Sequence, residues 1–199
     1  GNVTVGEDAQ AERLVTRYLL EYAGARDAES AHDELGWDYF KQGDFRSAIP
    51  EFTSFLSAYR DETGTVPYRS DALLRLADSH FALKQYPDAV RSYSRMAAAG
   101  DDYAIYQIGQ AYSNSGDAFE AISTFRQRIQ DYPFSEWREE SQYSLGYLYF
   151  LNQEYEQAVL EYQSLIDKYP LDPLAAKAQY GIGDSFFNAG NIEESVKGY

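Results

Sequence analysis

Residues able to do covalent or acid–base chemistry are few and scattered in this chain. It holds two histidines, His32 and His80, 48 positions apart, and no cysteine. The missing cysteine removes disulfides, zinc–thiolate sites and thiol nucleophiles together. No His-Glu-x-x-His helix, glycine-rich phosphate loop or nucleophile elbow occurs. The spacing of an EF-hand or other metal loop is absent too. Carboxylates are plentiful, but none forms a recognisable catalytic pair. Glu139 and Glu140 lie in a solvated stretch of a predicted helix. His32 reads as a surface residue. Asn2-Val3-Thr4 is a formal glycosylation sequon, without meaning in a bacterial protein. The chain is therefore expected to be no enzyme, with no catalytic residue, cofactor or metal.

What the chain has in abundance is rings and acids. There are 19 Tyr, 11 Phe and 2 Trp, and the net charge is −15 from 32 acidic and 17 basic residues. Tyr and Trp join a large contact area to a polar tip, the chemistry of a protein interface. The negative field repels polyanions, so no nucleic acid partner is expected, and anionic membrane surfaces are disfavoured. No apolar run approaches the ~20 residues that cross a bilayer, so no direct membrane insertion is expected. No signal-peptide pattern opens the chain. Lysine is scarce beside arginine, a pattern also met in salt-adapted proteins. Partners that are apolar with some basic residues fit this surface.

The elements that must position these rings follow from an internal period. Five segments match: ELGWDY at 34–39, RLADSH at 75–80, QIGQAY at 107–112, SLGYLY at 144–149 and GIGDSF at 181–186. Their small anchors are Gly36, Ala77, Gly109, Gly146 and Gly183, spaced by 41, 32, 37 and 37. An aliphatic precedes each anchor and a ring follows three later, with His80 taking one ring place. Twelve beyond each anchor stands a small residue: Ala48, Ala89, Ala121, Ala158 or Ser195. Sixteen beyond stands an aromatic: Phe52, Tyr93, Phe125, Tyr162 or Tyr199. Small residues on two successive helices let them approach, and large ones fill the seam.

Between the helices lie KQGD, NSGD and NAGN. Gly43, Gly116 and Gly190 can take the left-handed conformation that ends a first helix, and Asp44, Asp117 and Asn191 can cap the second. Pro133 and Pro170 stop second helices. The pattern predicts helices near 9–23, 28–42, 44–60, 66–83, 86–98, 101–114, 117–131, 134–151, 154–168, 171–188 and 191–199. Pro50 falls inside one of them, where it removes a bond to the Arg46 carbonyl and predicts a kink.

These columns resemble the tetratricopeptide repeat, Trp-x2-Leu-Gly-x2-Tyr, then Ala-x3-Phe, then Pro. The resemblance implies an all-α fold, an α-solenoid of antiparallel helix pairs (TPR right-handed superhelix). Ala77 and Ser195 depart from the pattern, and DETGT at 61–65 and AAAGDD at 97–102 alter the repeat length. Residues 1–8 read as a flexible tail or the scar of a trimmed start. Residues 9–199 read as the array: a half repeat at 9–27, repeats at 28–65, 66–100, 101–133 and 134–170, and a partial repeat at 171–199. This is expected to be a fragment of a longer array. The 37-residue spacing with DYPFSEW and KYPLDP is similar to bacterial cell-envelope members such as the BamD lipoprotein and the periplasmic coordinator of the Tol–Pal system. That implies a bacterial source and a periplasmic address, with the cytoplasm as the other choice.

In that family the first helices line a concave face through positions −3, +1 and +4 from the anchor. Here this implies a partner-binding groove of Asp33, Trp37, Asp78, Tyr106, Tyr143, Tyr147, Tyr180 and Asp184. The +4 rings Phe40, Phe81, Phe150 and Phe187 read more readily as packing between helices. The chaperone-tail clamp needs groove Lys and Asn, and Asp33, Leu74, Tyr106, Tyr143 and Tyr180 stand there instead. The expected function is non-catalytic binding of a peptide or protein segment, within a larger scaffold. The alternative is a structural spacer or self-assembling repeat array.

Overall fold

The computed structural model describes residues 25–58 and 69–198. The expectations for 1–8, 9–23 and 61–65 lie outside the described residues. Ten helices are described: α1 Ala25–Lys41, α2 Phe45–Ala58, α3 Arg69–Ala82, α4 Tyr86–Ala97, α5 Asp102–Ser115, α6 Ala118–Asp131, α7 Arg138–Leu151, α8 Tyr155–Lys168, α9 Pro173–Asn188 and α10 Ile192–Gly198. No strand occurs among the described residues. The chain forms two compact units, Gly1–Met96 and Ala97–Tyr199. Within each, sequence-adjacent helices pack on one another, and first helices also meet: α1 touches α3, and α7 touches α9.

Sequence explains this packing column by column. The small residues twelve beyond the anchors are buried in every repeat. So are Phe52, Tyr93, Phe125 and Tyr162 of the aromatic column. Each buried aromatic side chain stabilises by roughly 1.5–3 kcal/mol if fully removed from water. At three of the anchors, ring and glycine meet so closely that no Cβ fits between them. A Cβ on Gly36 would stand 2.9 Å from Phe52, on Gly109 2.6 Å from Phe125 and on Gly146 2.7 Å from Tyr162.

The turns are as predicted in three pairs. Gly43, Gly116 and Gly190 have φ of 76°, 84° and 81°. Asp44, Asp117 and Asn191 accept hydrogen bonds from the amides of Ser47, Glu120 and Glu194. In the other two pairs Lys84 and Gln153 take the same left-handed place, at φ 60° and 63°. A Cβ there costs about 1–2 kcal/mol, against about 0.5–1 kcal/mol for the greater freedom that glycine loses. Gln153→Gly should therefore stabilise the chain by about 0.5–1 kcal/mol. The urea midpoint, read at unchanged slope, should rise, and a fall would show that the Gln153 side chain contributes more than its backbone costs.

Helix α7 begins at Arg138 rather than near 134. Ser135 holds the segment before it in a turn: its Oγ accepts from the Trp137 amide at 3.0 Å and its amide donates to the Tyr132 carbonyl at 3.2 Å. Pro50 lies inside α2 as expected.

Candidate protein-docking face

The +4 rings go to the turns. Phe40 packs edge-on against Phe45 and Phe81 against Tyr86, and Phe150 lies tilted against Tyr155, each five residues later and across the turn. Phe187 has an isoleucine, Ile192, at that place and is largely exposed.

In the first unit, Asp33 and Trp37 line a cavity of ≈ 410 Å³ with Glu34, Asp38 and Lys41. Trp37 already serves internal cations. The Arg75 guanidinium lies 4.8 Å from its ring centroid and the Lys41 ammonium 5.4 Å. Asp78 belongs to the same network, accepting from Arg75 at 3.1 Å and from the Tyr93 hydroxyl at 2.6 Å. His32, read as a surface residue, is partly buried and hydrogen-bonded to Glu51 at 2.5 Å. His80, in its ring column, bonds Gln85.

The Oδ1 atom of Asp33 is buried with no hydrogen-bond partner. Burial first, then the charges of Asp71 and Glu34, pushes this carboxyl up from 3.8 to about 6. Between those values the folded chain holds a proton that the unfolded chain has released. Stability attributable to Asp33 thus falls as pH rises through that window. Urea midpoints of the parent and of Asp33→Asn should diverge from pH 3.8 to about 6, with the variant gaining on the parent. Parallel curves would show that Asp33 titrates as it does in water.

In the second unit, Tyr106 is half-buried. It stacks on Trp137, with centroids 5.2 Å apart and planes at 21°, and accepts a hydrogen bond from Gln110 at 2.9 Å. Tyr143, Tyr147, Tyr180 and Asp184 come together around one cavity of ≈ 230 Å³. Tyr143, Tyr147 and Phe150 come from α7, and Tyr162 of α8 also lines it. Lys177, Tyr180, Gly181 and Asp184 come from α9. Tyr143 is half-buried and lies 5.6 Å from Tyr162, ring to ring. Tyr147 and Tyr180 are 45% and 57% exposed, enough to present ring faces to a partner. Burial raises the Tyr143 and Tyr162 hydroxyls above their ordinary 10, so both are neutral donors at physiological pH. A concave, ring-lined site with a carboxylate and an ammonium at its edge can hold an apolar or cationic group. Among the described residues, no cluster of His and carboxylates is arranged to hold a metal.

Two contributors escaped the sequence reading. Trp137 lies outside the five columns, so its stacking on Tyr106 had no periodic signal. Arg128 is fully buried in α6. It stands nineteen beyond its anchor, where the other repeats carry Phe55, Met96 and Leu165, and that mismatch was the available signal. No helix among the described residues is long and apolar enough to cross a membrane.

The helix pairs, buried columns and left-handed turns define a class: the fold is that of the tetratricopeptide repeat. A tetratricopeptide-repeat family model matches residues 34–104. Residues 98–195, nearly the whole second unit, match the model of an outer membrane lipoprotein family of the BamD-like kind. No curated protein matches the chain. Among solved structures, the MamA protein is similar at a TM-score of 0.68 and 22% identity, over 85% of this chain and 87% of that one. A tetratricopeptide repeat protein from Parabacteroides merdae ATCC 43184 matches at 0.68 and 18%, over 98% and 72%. MamA 41-end from Desulfovibrio magneticus RS-1 matches at 0.67 and 13%, over 85% and 90%. At such identities the likeness speaks for the fold alone.

Proposed function

We propose that this chain is a non-catalytic protein-interaction module whose α7–α9 face docks a segment of a partner protein. The observation that carries the reading is the cavity of ≈ 230 Å³ where Tyr147 and Tyr180 present exposed rings beside Asp184. Rings of this kind set affinity, while nearby acids set encounter rate and salt dependence. The partner segment is apolar with some basic residues, matching a net charge of −15. The match of residues 98–195 to an outer membrane lipoprotein family supports a bacterial envelope address, with the module facing the periplasm.

The test begins with the partner recovered from the native organism by the full-length protein. Calorimetry then compares the parent with Tyr147→Ala/Tyr180→Ala, both chosen because their rings are exposed. The double variant should fold, by circular dichroism, and bind about 2–4 kcal/mol more weakly, the scale of hot-spot truncations. A folded variant that binds as tightly as the parent defeats the reading. A second reading, a self-assembling array, is favoured by Phe134 and Leu171, which stand 98% and 97% exposed at equivalent turns one repeat apart. Sedimentation equilibrium that gives a concentration-dependent mass, lost in Phe134→Ser/Leu171→Ser, would select it.

A further inference from the structure

The first unit contains a filled arginine site. Arg75 of α3 lies 4.8 Å from the Trp37 centroid and 5.3 Å from that of Phe40, both on α1. It donates to Asp78 at 3.1 Å and to Asp71 at 3.4 Å. Counted from each helix's anchor, the two rings are at +1 and +4, the arginine at −2, and the acids at +1 and −6. The same offsets on α7 and α9 of the second unit give Tyr147 and Phe150, Gly181, Asp184 and Lys177. The register is physical as well as numerical. Between α5 and α7, Gln110 at +1 donates to Ser144 at −2, at 3.1 Å.

The second unit thus keeps both rings and one acid of the arginine site but carries glycine where the arginine would be. It has a cavity of ≈ 230 Å³ lined by those rings, that glycine and that acid. Residue 181 cannot supply the cation, because a Cβ there would stand 2.5 Å from the Tyr162 ring. We propose that this cavity is a receptor for one arginine side chain of the partner protein, provided in trans as Arg75 is provided in cis. The proposal rests on the docking role of the α7–α9 face and names what enters it.

The chemistry favours a guanidinium. It is planar and weakly hydrated, so it stacks on ring faces while keeping in-plane N–H donors for a carboxylate. Asp78 already shows that an acid at this register can serve an arginine and a tyrosine hydroxyl together. The volume is below the ~300–1,000 Å³ of small-molecule pockets, so it suits a single side chain. Lys177 stands in the place of Asp71 and opposes an incoming cation, which makes the receptor weaker than its internal counterpart.

The test titrates the whole chain with two capped tripeptides, acetyl-Leu-Arg-Leu-amide and its neutral citrulline isostere. The arginine peptide should bind about tenfold more tightly, the size of one partly desolvated cation–π contact. Asp184→Asn, folded by circular dichroism, should cut that preference severalfold and leave the part due to the rings. Lys177→Asp should tighten the arginine peptide severalfold and leave the citrulline peptide unchanged. Equal binding of both peptides, removed for both by Tyr147→Ala, overturns the arginine receptor and leaves the docking face standing. No saturable binding of either at millimolar concentration overturns the receptor as well. The docking face is then judged by the native-partner comparison alone.

Discussion

Gly146→Leu should lower the stability of the chain by the upper end of the ~1–3 kcal/mol that overpacking typically costs. The reason is a ring with nowhere to go. A Cβ at 146 would already stand 2.7 Å from Cδ1 of Tyr162, and a leucine adds three more carbons. Tyr162 cannot withdraw toward α9, because there its other edge rests on Gly181, where a Cβ would stand 2.5 Å away. Close-packed interiors transmit such strain instead of absorbing it. Urea denaturation should show the loss as a lower midpoint. An unchanged midpoint would mean that the anchor column does not mark the closest helix approach.

Arg128→Ala should cost about as much, near 3 kcal/mol, within the ~2–5 kcal/mol of truncating a large buried side chain to alanine. Arg128 is fully buried, its Nε donates to the Asp102 carbonyl at 3.2 Å, and its Nη2 reaches the Ser135 hydroxyl and, at 3.7 Å, the Asp102 carboxylate. Burial lowers its pKa, and the charges of Asp102 and Glu140 oppose that shift. Its Nη1 finds no hydrogen-bond partner. Alanine would leave a cavity and strand Ser135. Arg128→Met should behave differently, within about 1 kcal/mol of the parent, because a hydrophobic side chain of similar volume often replaces a buried ion without loss. Met96 holds the same column position in another repeat. If methionine proves as damaging as alanine, the hydrogen bonds that tie α6 to the start of α5 and to the turn at 135 outweigh the desolvation of the guanidinium.

The helix pairs were legible because a repeat states the same packing problem five times. Gly36, Gly109 and Gly146 could be named as close-contact points from spacing alone. Gly43, Gly116 and Gly190 could be named as helix ends because glycine favours the left-handed region. Lys84 and Gln153 occupy that region without glycine and went unread; only their register, seven beyond the anchor, was there as a signal. The start of α7 was misplaced because the side chain of Ser135 competes with the helix for backbone donors. That Tyr143, Tyr147, Tyr180 and Asp184 share one face, the proposed docking face, was legible from the offsets. Which rings are spoken for was not: Trp37 faces Arg75 and Tyr106 faces Trp137, and both contacts depend on side-chain directions that a list of residues does not carry.

Tyr162, pressed between Gly146 and Gly181, also orders the steps by which this unit could change. A self-sufficient site like that of Arg75 needs a side chain at residue 181, and no side chain fits while the tyrosine ring lies there. The ring must first become smaller or swing aside, which loosens its grip on Gly146 and exacts a loss of stability before any gain. Residue 162 therefore decides what residue 181 can become: while the tyrosine keeps this pose, position 181 has room for no side chain.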